Sequence, residues 1–133
     1  MNDFAKSENL SLTSVDEYGL RVFLNEVYSH TDSDSISRPQ RCKKCYRIRL
    51  EKTADFASRE GYSAFSTTLL ISPYQDHEEI KRVGEETAEK YGVDFLYRDF
   101  RQLFREGQSA ARAANMYMQK YCGCIFSEEE RYL

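Results

Sequence analysis

Apolar residues at Leu20, Phe23, Leu24 and Val27 recur at i, i+3, i+4 and i+7. That spacing lines one face of a helix and predicts helix over 15–28. Tyr46, Leu50, Ala54 and Ala57 form a second stripe, predicting helix over 41–60 with Gly61 as its stop. The pattern then changes. Residues 65–71 lack helical spacing, are rich in Thr, Leu and Ile, and end at Ser72-Pro73, so they predict a buried strand. Residues 76–91 open acidic and stop at Gly92, which predicts a helix whose first turn complements its dipole. A second strand is expected at 93–97, and Asp99 can cap a further helix running to about Asn115. Between the first two helices, 29–40 is rich in Ser and Asp and contains Pro39, which predicts a loop. The polar stretch 1–14 is expected to be disordered.

Strands alternating with helices point to an α/β fold with a parallel sheet and right-handed crossovers. At 133 residues the chain fits a single domain, 1–133. Two strands are few for a parallel sheet, however, and nothing before Phe65 reads as a strand. The pattern is that of the second half of something larger.

Composition narrows the picture. The chain is 41% hydrophobic, and its 10 Tyr and 8 Phe supply core bulk in the absence of Trp. Its longest apolar run, Leu69-Leu70-Ile71, falls far short of the roughly 20 residues of a membrane helix. The first residues lack the basic and apolar regions of a signal peptide, so no membrane association and a cytoplasmic location are expected. Thiols there stay reduced, which directs the four Cys toward metal or redox chemistry rather than structural disulfides. A net charge of −3 excludes a uniformly basic nucleic-acid binder. It permits a local patch, and Arg41, Lys43, Lys44, Arg47, Arg49 and Lys52 lie close together, opposed nearby only by Glu51. A solvated helix face gives the same pattern.

All four thiols fall in two clusters, Cys42-Lys43-Lys44-Cys45 and Cys122-Gly123-Cys124. The first pair, at i and i+3, shares one face of the predicted helix. Flanking cations, and a helix N-terminus at Arg41, would favour thiolate there. Such a pair suits zinc, an iron–sulfur cluster or dithiol exchange alike. In the second pair Gly123 lets the chain bend to bring two sulfurs together. The resulting ring would be small and strained, and a strained disulfide is labile and oxidising, suited to electron relay. A tetrathiolate zinc site using all four Cys fits the spacing equally well.

Taken together, the segments resemble a known family. The stretch Arg41-Cys42-Lys43-Lys44-Cys45-Tyr46-Arg47-Ile48-Arg49-Leu50 is similar to the RCxxCYxxRL signature of the QueH type of epoxyqueuosine reductase. Thr67 to Gln75, Asp99-Phe100-Arg101 and Gln119 to Ser127 follow in that family's order. The resemblance covers roughly 41–131, with weaker similarity through the Tyr18–Val27 helix. It implies a fold like the adenine-nucleotide α-hydrolases (HUP-like) and reduction of epoxyqueuosine to queuosine at the wobble position of tRNA. It further implies a 4Fe-4S cluster, with room for an additional iron, held in part by Cys42 and Cys45. Cys122 and Cys124 then become a redox-active disulfide pair. Two departures stand out. The family's opening strand, which carries two more cluster cysteines, has no counterpart here, so a second chain supplying that segment joins tRNA and an electron donor among the expected partners. Met118 also replaces a usual Arg. A non-catalytic zinc module and an inactive remnant are the alternatives.

Lys43, Lys44 and Arg47 are candidates to hold anticodon-loop phosphates. Thr67, Thr68 and Ser72, at the carboxyl end of a predicted strand, are candidates for substrate contact. Asp99 and Arg101 are expected to cap a helix and pair on its surface. His77 is expected to be solvated at a helix start, and His30 to lie in a polar loop.

Overall fold

The structure is a computed structural model that describes residues 2–15, 17, 19–29 and 36–133. His30 and most of the expected 29–40 loop lie outside the described residues. The described chain divides into two compact units, Met1–Cys45 and Tyr46–Leu133.

In the first unit a short helix, α1 (Asn2–Ser7), occupies part of the stretch expected to be disordered and buries Ala5. Helix α2 (Leu20–Tyr28) starts five residues later than the spacing predicts, because Gly19 takes a left-handed conformation with φ of 71°. The predicted stripe is otherwise kept: Leu20, Phe23 and Leu24 are half-buried and Val27 is fully buried. Helix α3 (Arg38–Arg59) starts three residues earlier than expected. Ser37 and Gln40 form a reciprocal cap: the Gln40 amide donates to Ser37 Oγ at 3.4 Å, and the Ser37 amide donates to Gln40 Oε1 at 3.1 Å. Pro39 fits in the first turn, where its missing N–H is not required.

From Tyr46 onward α3 belongs to the second unit, where Tyr46, Leu50, Ala54 and Ala57 are its buried residues, as the stripe predicts. The helix closes at Gly61 (φ 79°), with Tyr62 N–H bonded to Ala57 O at 2.8 Å. Two strands follow, β1 (Ala64–Phe65) and β2 (Asp94–Phe95), paired in parallel with Ala64 opposite Asp94 and Phe65 opposite Phe95. The crossover between them is α4 (His77–Tyr91), capped by Asp76, whose carboxylate accepts from Glu79 N–H, and ended by left-handed Gly92. The fold is mixed α/β with a small parallel sheet.

Both strands are shorter than predicted. Residues 68–71 form a 3-10 turn instead of extending β1, because the Thr67 hydroxyl accepts from Leu69 N–H at 3.2 Å and bends the chain. Leu70 is nevertheless fully buried, so the apolar run reaches the core from a turn. After β2 a second 3-10 turn (Arg101–Leu103) leads into α5 (Phe104–Ala113), and the chain ends in α6 (Ile125–Tyr132). The core joins Leu50, Leu70, Ile80, Val83 and Phe65. Phe95 lies so close over Gly84 that a Cβ there would sit 2.2 Å from its ring. Tyr46 OH donates to Gln75 Oε1 at 2.8 Å and accepts from Asp76 N–H at 3.1 Å, which ties α3 to the start of α4.

Candidate functional site

Cys42 and Cys45 sit on one face of α3, half-exposed, and neither is in a disulfide. The helix opens at Arg38, so Cys42 lies a full turn inside it and not at its N-terminus as the sequence suggested. Of the neighbouring cations, Lys44 is already engaged: its Nζ donates to Glu26 O, in the last turn of α2, at 2.6 Å. Arg47 is engaged too, pairing with Glu86 at 2.8 Å and more loosely with Glu51 at 3.8 Å. Lys43 is exposed.

The second thiol pair is built differently. Gly123 takes φ of +100°, a conformation that side chains rarely adopt, and turns the chain between the two cysteines. Cys124 is then the N-cap of α6, its sulfur accepting from Ser127 N–H at 3.3 Å. Cys122 Sγ lies 3.2 Å from Ser127 Oγ, and that hydroxyl donates to Cys124 O at 3.0 Å. The Arg49 guanidinium donates to Cys122 O at 3.3 Å. A hydrogen bond from the Cys124 thiol lowers Cys122 to about 5, helped by Ser127, the Cys124 amide and the charge of Arg49 against an opposing cost of burial. The same shared proton, together with burial, pushes Cys124 far up. The surroundings therefore make Cys122 the more acidic thiol of the two.

Thr67, Thr68 and Ser72 follow β1. The Thr67 hydroxyl is used as a cap, Ser72 Oγ accepts from Tyr74 N–H at 3.2 Å, and Thr68 is exposed. The segment after β2 is pinned beside them by Phe100 N–H donating to Leu70 O at 3.2 Å. Asp99 and Arg101 pair as expected, through two side-chain contacts of 2.9 and 2.6 Å, which holds the Asp99 carboxyl well below the usual range. His77 corrects the sequence reading. It is 5% exposed, its Nε2 lies 3.0 Å from Ser72 O, and its Nδ1 lies 3.5 Å from Tyr97 OH and 4.0 Å from Asp99. Polar sequence neighbours suggested solvent, but Ser72 and Tyr97 enclose the ring. Arg49, Ser127 and Tyr97 were missed as site residues; the first two lay within the quoted motifs, whereas Tyr97 left no local signal.

The donor set tests the implied cluster. Two helical thiols at i and i+3 fit as two ligands of one group. Among the described residues no three His, Cys, Asp or Glu side chains gather to hold a metal ion. The pair therefore fits half of the four-thiolate shell such a cluster takes.

These features define a thiol-bearing α/β protein with one cysteine pair in a helix and one across a left-handed glycine. The family model for epoxyqueuosine reductase QueH matches residues 1–130, and the chain belongs to that family. Similar relatives include epoxyqueuosine reductase QueH of Dehalococcoides mccartyi, 31% identical over 132 residues, which are 99% of this chain and 69% of that protein. The QueH of Thermotoga maritima is 42% identical over 114 residues, 84% of this chain and 58% of the relative. That of Histophilus somni is 35% identical over 100 residues, 71% of this chain and 40% of the relative. Among the described residues no helix is long and apolar enough to cross a membrane.

Proposed function

We propose that this chain carries out, or forms part of an enzyme that carries out, reduction of epoxyqueuosine to queuosine in tRNA, in the cytoplasm. The observation that carries the reading is the pairing of Cys122 and Cys124 across left-handed Gly123, both in contact with Ser127, in a member of the QueH family. Removing an epoxide oxygen as water and leaving a double bond requires two electrons and two protons. Closing Cys122 and Cys124 to a disulfide from the thiolate–thiol state releases the two electrons and one proton, and the second proton comes from solvent. Cys122, the more acidic thiol, is the proposed nucleophile, Cys124 the proposed partner, and Gly123 allows the bend that pairing needs. An external reductant, a thiol or another low-potential donor, then restores the pair.

Cys42 and Cys45 are proposed as two ligands of a 4Fe-4S cluster, which when bound supplies electrons one at a time. The remaining ligands come from residues outside this pair, and a second chain is one source. Lys43 and Thr68, exposed in the structure, are the proposed tRNA contacts among the candidates, with Arg47, Lys44, Thr67 and Ser72 shaping the backbone and charge around them. A HUP-like parallel sheet, of which β1 and β2 would be two strands, is the fold this reading implies. The test is anaerobic incubation of the chain with epoxyqueuosine-containing tRNA and a chemical reductant, with queuosine read by mass spectrometry. The expected result is queuosine formation that is abolished by Cys122→Ser. Full activity in Cys122→Ser and Cys124→Ser would refute the role of the pair.

A further inference from the structure

The two segments that leave the carboxyl ends of β1 and β2 meet, and together they present an aromatic surface. Tyr74 comes from the first and Phe104 from the second. Their ring centroids lie 5.9 Å apart at 84°, edge to face. Tyr74 remains 72% exposed. Helix α5, which starts at Phe104, half-buries Phe104, Gln108 and Ala111 and leaves Arg105 and Arg112 exposed.

Charge gives that partner a sign. Residues 96–121 hold Arg98, Arg101, Arg105, Arg112 and Lys120 against Asp99 and Glu106, a net of +3 in a chain whose total is −3. Arg101 is spent on Asp99. Arg98, Arg105, Arg112 and Lys120 are exposed and have no ion-pair partner among the described residues. On α3, by contrast, Arg47 would have to give up Glu86 before it could hold a phosphate. Exposed cations on the segment that carries Phe104, with an exposed ring packed on Phe104, suit a polyanion whose flat groups can stack, and single-stranded RNA has both properties. Open parallel sheets place their ligands at this same end.

We propose that the surface built by Tyr74 and Phe104 and flanked by Arg105 takes the unpaired nucleotides of an RNA loop, one base stacking on Tyr74 while the α5 cations follow the backbone. This rests on the tRNA reading above and adds to it the face that the loop occupies.

The experiment titrates an RNA hairpin with a single-stranded loop, and a blunt duplex of the same stem, into the full chain and reads fluorescence anisotropy over a range of salt. Tyr74→Ala is expected to weaken hairpin binding about tenfold, the scale of one lost stacked base, and to leave duplex binding unchanged. Tyr74→Trp should restore it. Arg105→Gln should weaken both and lower the salt slope by about one. Circular dichroism checks that the exposed substitutions leave the fold intact. Hairpin affinity unchanged in both Tyr74→Ala and Arg105→Gln overturns the surface, even where the wild-type chain makes queuosine. Loop binding that depends on Tyr74 in a chain without reductase activity supports the surface and removes the activity. A wild-type chain that ignores the hairpin overturns the surface outright.

Discussion

Replacing Cys124 by Ala should release the proton arrangement that makes Cys122 the more acidic thiol. The hydrogen bond from the Cys124 thiol is the largest cause of the low Cys122 value, ahead of the contact with Ser127 and the charge of Arg49. Without it, the midpoint of Cys122 ionisation should climb from about 5 toward the ordinary thiol value of about 8.5. Cys124→Ser keeps a hydroxyl that can donate to the sulfur, so its shift should be smaller, and Ser127→Ala should shift it least. The assay is alkylation by iodoacetamide across pH, with the Cys122 peptide quantified by mass spectrometry to separate it from Cys42 and Cys45. The midpoint must be read, not the rate at one pH. A rise to the ordinary value would cut the thiolate fraction at pH 7 about thirtyfold, while the intrinsic nucleophilicity of the less acidic thiol would rise by roughly as much. The two nearly cancel at neutral pH, and only the full profile shows the change. The linkage also has a sign. A thiol whose folded value is depressed adds stability that is complete above the unfolded thiol value and is lost as pH falls through about 5. A wild-type midpoint near the ordinary value, or one that Cys124→Ala does not move, would refute the unequal pair.

Gly84→Ala should destabilise the fold by about 1–3 kcal/mol in chemical denaturation, the scale of overpacking, because the new Cβ would meet the Phe95 ring at 2.2 Å. That outweighs the gain of about 1 kcal/mol in helix propensity, and Phe95→Leu should recover part of the loss. Thr87→Val should raise stability by about 1 kcal/mol, since the buried Thr87 hydroxyl of α4 has no hydrogen-bond partner among the described residues; a loss of stability would mean that the hydroxyl is satisfied. Gly123→Val should slow oxidative pairing of Cys122 and Cys124 in thiol trapping by at least about tenfold, because a β-branched residue resists φ of +100°. Pairing at the wild-type rate would remove the need for that turn.

Helical parts of the chain were legible because their information is local. The stripe Tyr46, Leu50, Ala54 and Ala57 is the buried face of α3, and Asp76 and Gly92 bound α4 as read, since periodicity and caps act within a few residues. The Ser37–Gln40 cap was equally local but was obscured by Pro39, whose usual meaning is a break. The family was legible too, because Cys42, Cys45, Cys122 and Cys124 keep their neighbours in order. Tertiary structure decided the rest. Residues 65–71 carry the composition of a strand, yet the Thr67 hydroxyl and the burial of Leu70 made most of them a turn. His77 is polar among polar neighbours, and the Ser72 carbonyl five residues back and the Tyr97 ring twenty residues on take it out of water. The inequality of Cys122 and Cys124 depends on where Ser127 and Arg49 sit around a left-handed glycine. Spacing along a chain records which residues share a face; which groups then share a proton is settled by distances that only the folded chain sets.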